Sequence, residues 1–256
     1  MEVKQSVESG EEKTNVVETA IVPFVSSKLK FADTCKKSER AVIVGGRRYV
    51  LVQGKWNGEE FSEKFGTVLF DGAIVLFHYL KDHCEDLMRE VRGNVMELGC
   101  GIGLVSIVAS TLLSHEKATV VATDADPKLL ELVERNAKKN LNTQESARLK
   151  TKVLKWGSTC LKDGENVGLI IGSEIVACPY AEALPKLVQT LSDLMSGGAR
   201  AIISYKPRLK SEDIFFDLAK EKFNIEWIGR SKIHRDFNRR VGIERIGIFI
   251  LSNKKT

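Results

Sequence analysis

The stretch Val95-Met96-Glu97-Leu98-Gly99-Cys100-Gly101-Ile102-Gly103-Leu104 sets one carboxylate and three alternating glycines between two apolar runs. Glycine permits a tight turn and lets a ligand reach the backbone without meeting a Cβ. The spacing is Gly-x-Gly-x-Gly, and Leu104 stands where a dinucleotide fingerprint has its third glycine. Glu97 lies two residues before Gly99. A carboxylate there repels a diphosphate and attracts an ammonium or sulfonium centre. The loop therefore suits a cationic, phosphate-free nucleoside, and a strand–turn–helix without a ligand is the plainer alternative.

Three further positions carry chemistry. Asp124 closes the run Val121-Ala122-Thr123-Asp124, where an acidic residue at a strand end can accept hydrogen bonds from two ribose hydroxyls. Capping of the following turn is its competing role, although Asp126 suits that task better. Trp156, in Leu154-Lys155-Trp156-Gly157, can stack on an adenine face or simply pack at a rim. In Gly172-Ser173-Glu174, Glu174 can orient an acceptor nitrogen or take its proton, and helix capping by either polar residue competes with this.

These residues need elements to hold them. Apolar periodicity predicts strands over Asn94–Leu98, Ala118–Thr123, Leu149–Leu154, Val167–Ile171, Ala201–Tyr205, Ile225–Ile228 and Ile246–Leu251. Helices are predicted over 68–84, over 104–113, from the Asp126-Pro127 cap to Asn140, over 181–194, and from a Ser211 cap to Phe223. Ala41–Val44 and Tyr49–Val52 flank Gly45-Gly46, a hairpin signal. Alternating strands and helices argue for a parallel sheet covered on both faces, with ligands outside the carboxyl ends of its strands. Every candidate residue above ends or follows one of those strands.

Composition sets bounds. In 256 residues, 43% apolar, no run approaches the roughly 20 apolar positions of a spanning helix. The acidic and basic N-terminus lacks the apolar heart of a secretory signal, so the cytoplasm is expected, with the nucleus open. Five widely spaced cysteines and four unclustered histidines give neither a disulfide framework nor a metal site. The net charge is +5, and 230–245 is basic, a surface for nucleic acid or an acidic partner, or a solvated loop.

Together these residues resemble the seven-strand class I methyltransferases, and more closely the family that methylates protein lysines. The resemblance runs from about Tyr49 to Leu251 and includes Phe65-Gly66-Thr67-Val68-Leu69-Phe70-Asp71-Gly72-Ala73, the Glu97 glycine loop, Asp124, Leu154-Lys155-Trp156-Gly157, Ser173-Glu174 and Ser204-Tyr205-Lys206-Pro207-Arg208. It implies an α/β Rossmann-like, doubly wound seven-stranded sheet whose antiparallel last strand is inserted beside the sixth. It implies S-adenosyl-L-methionine as cofactor, contacted by Glu97, Gly99, Gly101, Gly103, Asp124, Trp156 and Ser173, with the Phe70 ring where the family has tryptophan. The family places an aromatic three residues after the acid; here that position is Ala177, and Tyr180 follows.

The expected organisation is a tail over 1–35, a β-hairpin extension over 36–66 and a cofactor domain over 67–256. The expected activity is methylation of a protein side chain, lysine first, by a monomer with Glu174 as the catalytic carboxylate. Methylation of RNA or a small molecule is the enzymatic alternative. A catalytically silent cofactor-binding module is the alternative of another class.

Overall fold

Successive residues of a strand face opposite sides of its sheet. Along Asn94–Leu98 this period divides the molecule's interior: Val95 belongs to one apolar core, and Met96 and Leu98 to the other. The structure, a computed structural model, describes residues 20–21, 36–54, 66–113, 118–158, 166–178, 180–229 and 245–254.

The described residues form two sheets. The small one comprises β1 (Ala20–Ile21), β2 (Glu39–Val44) and β3 (Arg47–Val52). Gly45 and Gly46 turn β2 into β3 at φ of 53° and 81°, as the paired glycines predict. The two residues of β1 lie parallel to Arg40 and Ala41, a pairing too short to leave a periodic signal.

The large sheet comprises β4 (Asn94–Leu98), β5 (Val120–Asp124), β6 (Leu149–Val153), β7 (Val167–Ser173), β8 (Arg200–Tyr205), β9 (Phe223–Trp227) and β10 (Gly247–Asn253). Their order is β6-β5-β4-β7-β8-β10-β9, and β10 runs antiparallel to both β8 and β9. This is the expected seven-stranded, doubly wound sheet with its last strand inserted beside the sixth.

Helices α1 (Asp71–Asp82), α2 (Cys84–Glu90), α3 (Leu104–Leu112), α4 (Pro127–Asn140), α5 (Thr143–Arg148), α6 (Leu184–Met195) and α7 (Asp213–Lys222) complete the described elements. The apolar faces of α1 and α3 pack with Val95, Leu169, Ile171 and Ile202. Those of α6 and α7 pack with Met96, Ile170, Ala201 and Ile203 on the opposite side of the sheet. Asp126 caps α4 by accepting a 2.9 Å hydrogen bond from the Lys128 N–H. Ser211 does not cap α7: a 3-10 turn over Lys210–Glu212 precedes that helix and absorbs it. The order reverses at β4, between β5 and β7, so the crevice opens at their carboxyl ends.

Candidate functional site

The turn after β4 is shaped by what its glycines approach. Gly101, at φ 52°, would place a Cβ 2.8 Å from the Gly66 carbonyl oxygen. The chain at 66–70 therefore crosses directly over the loop. Gly103, at φ 85°, would place a Cβ 2.8 Å from the Val133 side chain of α4. Its need for glycine comes from helix packing, and Gly103 is absent from the cavity wall that the other two glycines help to form.

That cavity has a volume of about 390 Å³ and lies at the carboxyl ends of β4, β5, β6 and β7. Its wall contains Phe70, Glu97, Gly99, Gly101, Asp124, Trp156, Ser173 and Glu174, every sequence candidate except Gly103. The segment above the loop is tied down by buried polar contacts. Gln53 Oε1 accepts from the Leu69 N–H at 2.8 Å, and Arg40 Nη1 donates to the Leu69 carbonyl at 2.8 Å.

Glu97 is 1% exposed, and its Oε2 accepts hydrogen bonds from the Ser106 N–H, at 2.8 Å, and the Ser106 hydroxyl. Burial pushes its carboxyl up to about 8, against the pull of those hydrogen bonds. Asp124 Oδ2 accepts from the Gly101 N–H at 3.1 Å, and Oδ1 accepts from the Asp126 N–H at 3.2 Å. Burial raises this carboxyl as well, opposed by the backbone donors. Asp124 thus organises the glycine turn while still lining the cavity. Trp156 also does two things: it lines the cavity and packs against the core beneath α6.

Ser173 ends β7 with its hydroxyl oxygen buried and without a hydrogen-bond partner among the described residues. Glu174 follows at φ 61°, the described non-glycine residue in left-handed backbone. Neither residue caps a helix, because 174–177 form a turn and the next helical residues begin at Ala181. The Glu174 N–H donates to the Ser204 carbonyl at 2.9 Å. Its Oε2 accepts from Arg208 Nη1 at 2.5 Å, and its Oε1 is buried without a hydrogen-bond partner among the described residues. Burial raises the Glu174 carboxyl, while the Arg208 and Lys206 charges lower it and Asp71 adds a smaller upward push.

Sequence reasoning did not assign roles to Arg208, Cys178 or Lys186, all of which line the same cavity. Arg208 carried a signal, since it ends the Ser204–Arg208 motif after β8. Ala177 is buried, whereas Tyr180 lines the cavity and is 45% exposed.

A profile described as lysine methyltransferase matches residues 56–222. The chain belongs to the lysine methyltransferase family. It is 31% identical over 229 residues to the protein N-lysine methyltransferase METTL21A of Danio rerio, covering 88% of this chain and 95% of that one. It is 32% identical over 174 residues to the protein-lysine methyltransferase METTL21E of Mus musculus, covering 66% and 68%. Among solved structures, the methyltransferase domain of bacterial CtHen1 shares the fold, with a TM-score of 0.52 at 12% identity over 70% of this chain and 97% of that one.

The cofactor of this lysine methyltransferase is S-adenosyl-L-methionine, and the residues present fit it. The wall offers carboxyl groups at Glu97 and Asp124, an orphaned hydroxyl at Ser173, aromatic rings at Phe70 and Trp156, and glycine backbone at Gly99 and Gly101.

Proposed function

We propose that this chain methylates the Nζ of a lysine on another protein, with Glu174 at the acceptor end of the cavity. The observation that carries this reading is the placement of a buried, ion-paired carboxylate in the same cavity wall as the glycine loop and Asp124. Glu97, Gly99, Gly101, Asp124, Trp156, Ser173 and the Phe70 ring would hold the cofactor. When bound, S-adenosyl-L-methionine supplies a methyl group made electrophilic by its sulfonium.

The chain's own work is alignment in a site shielded from water. A lysine ammonium, with an ordinary pKa of roughly 10.4, must lose a proton before its nitrogen can attack. A carboxylate close by favours the ammonium form, so Glu174 acts by holding and orienting the acceptor rather than as a strong base. Asp124 fixes the glycine turn through the Gly101 N–H, and Glu97 fixes the start of α3 through Ser106. A single chain is the acting unit in this reading.

The test incubates purified protein and radiolabelled S-adenosyl-L-methionine with a cell extract, with nuclease and protease arms. The expected result is a protein band that survives nuclease and carries methylated lysine, with labelling reduced but still measurable in Glu174→Gln. Label removed by nuclease would transfer the activity to nucleic acid. Full turnover and unchanged substrate affinity in Glu174→Gln would remove Glu174 from the acceptor site.

A further inference from the structure

Left-handed backbone at a residue with a side chain costs about 1–3 kcal/mol and persists only where the surroundings enforce it. Glu174 is such a residue. What enforces it comes from two neighbouring strands, because Ser173 at the end of β7 pairs with Ser204 on β8. The chain that leaves β8 then returns a guanidinium to the Glu174 carboxylate.

That return path is itself built around a buried acid. Glu212 is 1% exposed, and its Oε2 accepts from the Tyr205 hydroxyl at 2.6 Å and from the Arg208 N–H at 2.9 Å. The loop from Lys206 to Leu209 is thereby folded over one oxygen. At its tip, Arg208 Nη1 donates both to Glu174 Oε2, at 2.5 Å, and to the Lys206 carbonyl, at 3.2 Å. The guanidinium is held from its own loop as well as by its partner. The other carboxylate oxygen, Oε1, lies over Gly72 at the start of α1, where a Cβ would overlap it.

We infer that Arg208 is a positioning residue for the acceptor site: anchored through its backbone by Glu212, it fixes one oxygen of Glu174 and so sets the direction of that carboxylate in the cavity. This rests on the reading of Glu174 as the acceptor-end carboxylate. The charged groups facing Glu174 are Arg208 and Lys206 from the loop after β8 and Asp71 from α1, and Asp71 is itself paired with Arg40. Loss of Arg208 therefore leaves a buried carboxylate with a weaker counter-charge and no fixed rotamer. A merely structural ion pair would cost stability when broken but would leave the acceptor chemistry of the folded enzyme unchanged.

The experiment uses the full chain as wild type, Glu174→Gln, Arg208→Gln, Arg208→Lys and the double variant Glu174→Gln/Arg208→Gln. The side-chain carboxyl of Glu174 is titrated by 13C NMR, its signal identified by its loss in Glu174→Gln. In Arg208→Gln its midpoint is expected to rise by about one pH unit or more, and in Arg208→Lys by less. Turnover at neutral pH is expected to fall about tenfold or more in Arg208→Gln, with cofactor affinity unchanged. In the double variant, loss of Arg208 is expected to add nothing to the loss from Glu174→Gln.

An unchanged Glu174 midpoint, or losses that multiply in the double variant, would overturn the assignment. If Arg208→Gln does not fold, Arg208→Lys and the double variant, which buries no unpaired charge, carry the same comparison. If the wild type labels no protein lysine while the midpoint still moves, the lysine reading fails and Arg208 still positions Glu174.

Discussion

At the scale of single residues, the cavity wall holds the buried carboxyls of Glu97 and Glu174, and that has consequences for pH. The Glu97 carboxyl keeps its proton up to about 8 in the folded chain, against 4.5 ordinarily. The folded state thus binds this proton more tightly than the unfolded state. The stability Glu97 contributes is fully present below about 4.5 and is lost as pH rises towards 8. At about 1.4 kcal/mol per unit, the loss is a few kcal/mol. Urea unfolding without cofactor should show Glu97→Gln losing less stability than the wild type between pH 5 and pH 8; equal losses would contradict the assignment. Gly72 gives a second residue-scale expectation. Glycine to alanine inside a helix ordinarily gains about 0.5–1 kcal/mol. Here the added methyl would overlap Glu174 Oε1, so Gly72→Ala should lower the melting temperature and turnover together while cofactor binding persists. A melting temperature raised by Gly72→Ala would show that Glu174 gives way easily.

At the scale of elements, two asparagines on one face of α4 act where a further strand would otherwise be needed. Asn136 accepts from the Val52 N–H at 2.8 Å and donates to the carbonyls of Val52, at 3.2 Å, and Ile102, at 2.9 Å. Asn140 accepts from the Val50 N–H at 2.7 Å and donates to its carbonyl at 2.8 Å. The free edge of β3 is thus satisfied by side chains, and Asn136 also ties it to the glycine loop through Ile102. Asn136→Ala strands buried donors and acceptors, at a cost of about 2 kcal/mol or more. It should also weaken cofactor binding more than Asn140→Ala does, by calorimetric titration; equal effects would deny the link through Ile102.

None of this clamp was legible in the sequence, because Asn136 and Asn140 read there only as polar positions of an amphipathic helix. The large sheet was legible, since its apolar runs and glycine stops are local signals. So was the cluster of residues after β4 to β7, because strand ends in a doubly wound sheet converge. The Glu174–Arg208 pair was not, since it spans 34 positions and exists only through the pairing of β7 with β8. The two-residue β1 carried no period, and Ser211 offered a capping residue that a 3-10 turn consumed.

At the scale of the whole molecule, sequence patterning separated a hairpin extension over 36–66 from a cofactor domain beginning at 67, and the packing bears on how independent the two can be. Val42, Val44, Tyr49 and Leu51 of the small sheet are buried in the same core as Leu76, Phe77 and Leu80 of α1. Burying an apolar side chain of this size contributes about 1.5–3 kcal/mol, so these four together contribute about 6 kcal/mol or more. A whole domain is stable by only about 5–15 kcal/mol. The polar contacts run the same way, for Gln53 and Arg40 hold the segment that crosses the glycine loop. We therefore propose that the small sheet and the cofactor domain fold as one unit. A variant lacking residues 1–54 should lose cooperative thermal unfolding and cofactor binding together. Should it instead melt within a few degrees of the full chain and bind cofactor as tightly, the small sheet would be an accessory, and the cavity would owe its shape to the large sheet alone.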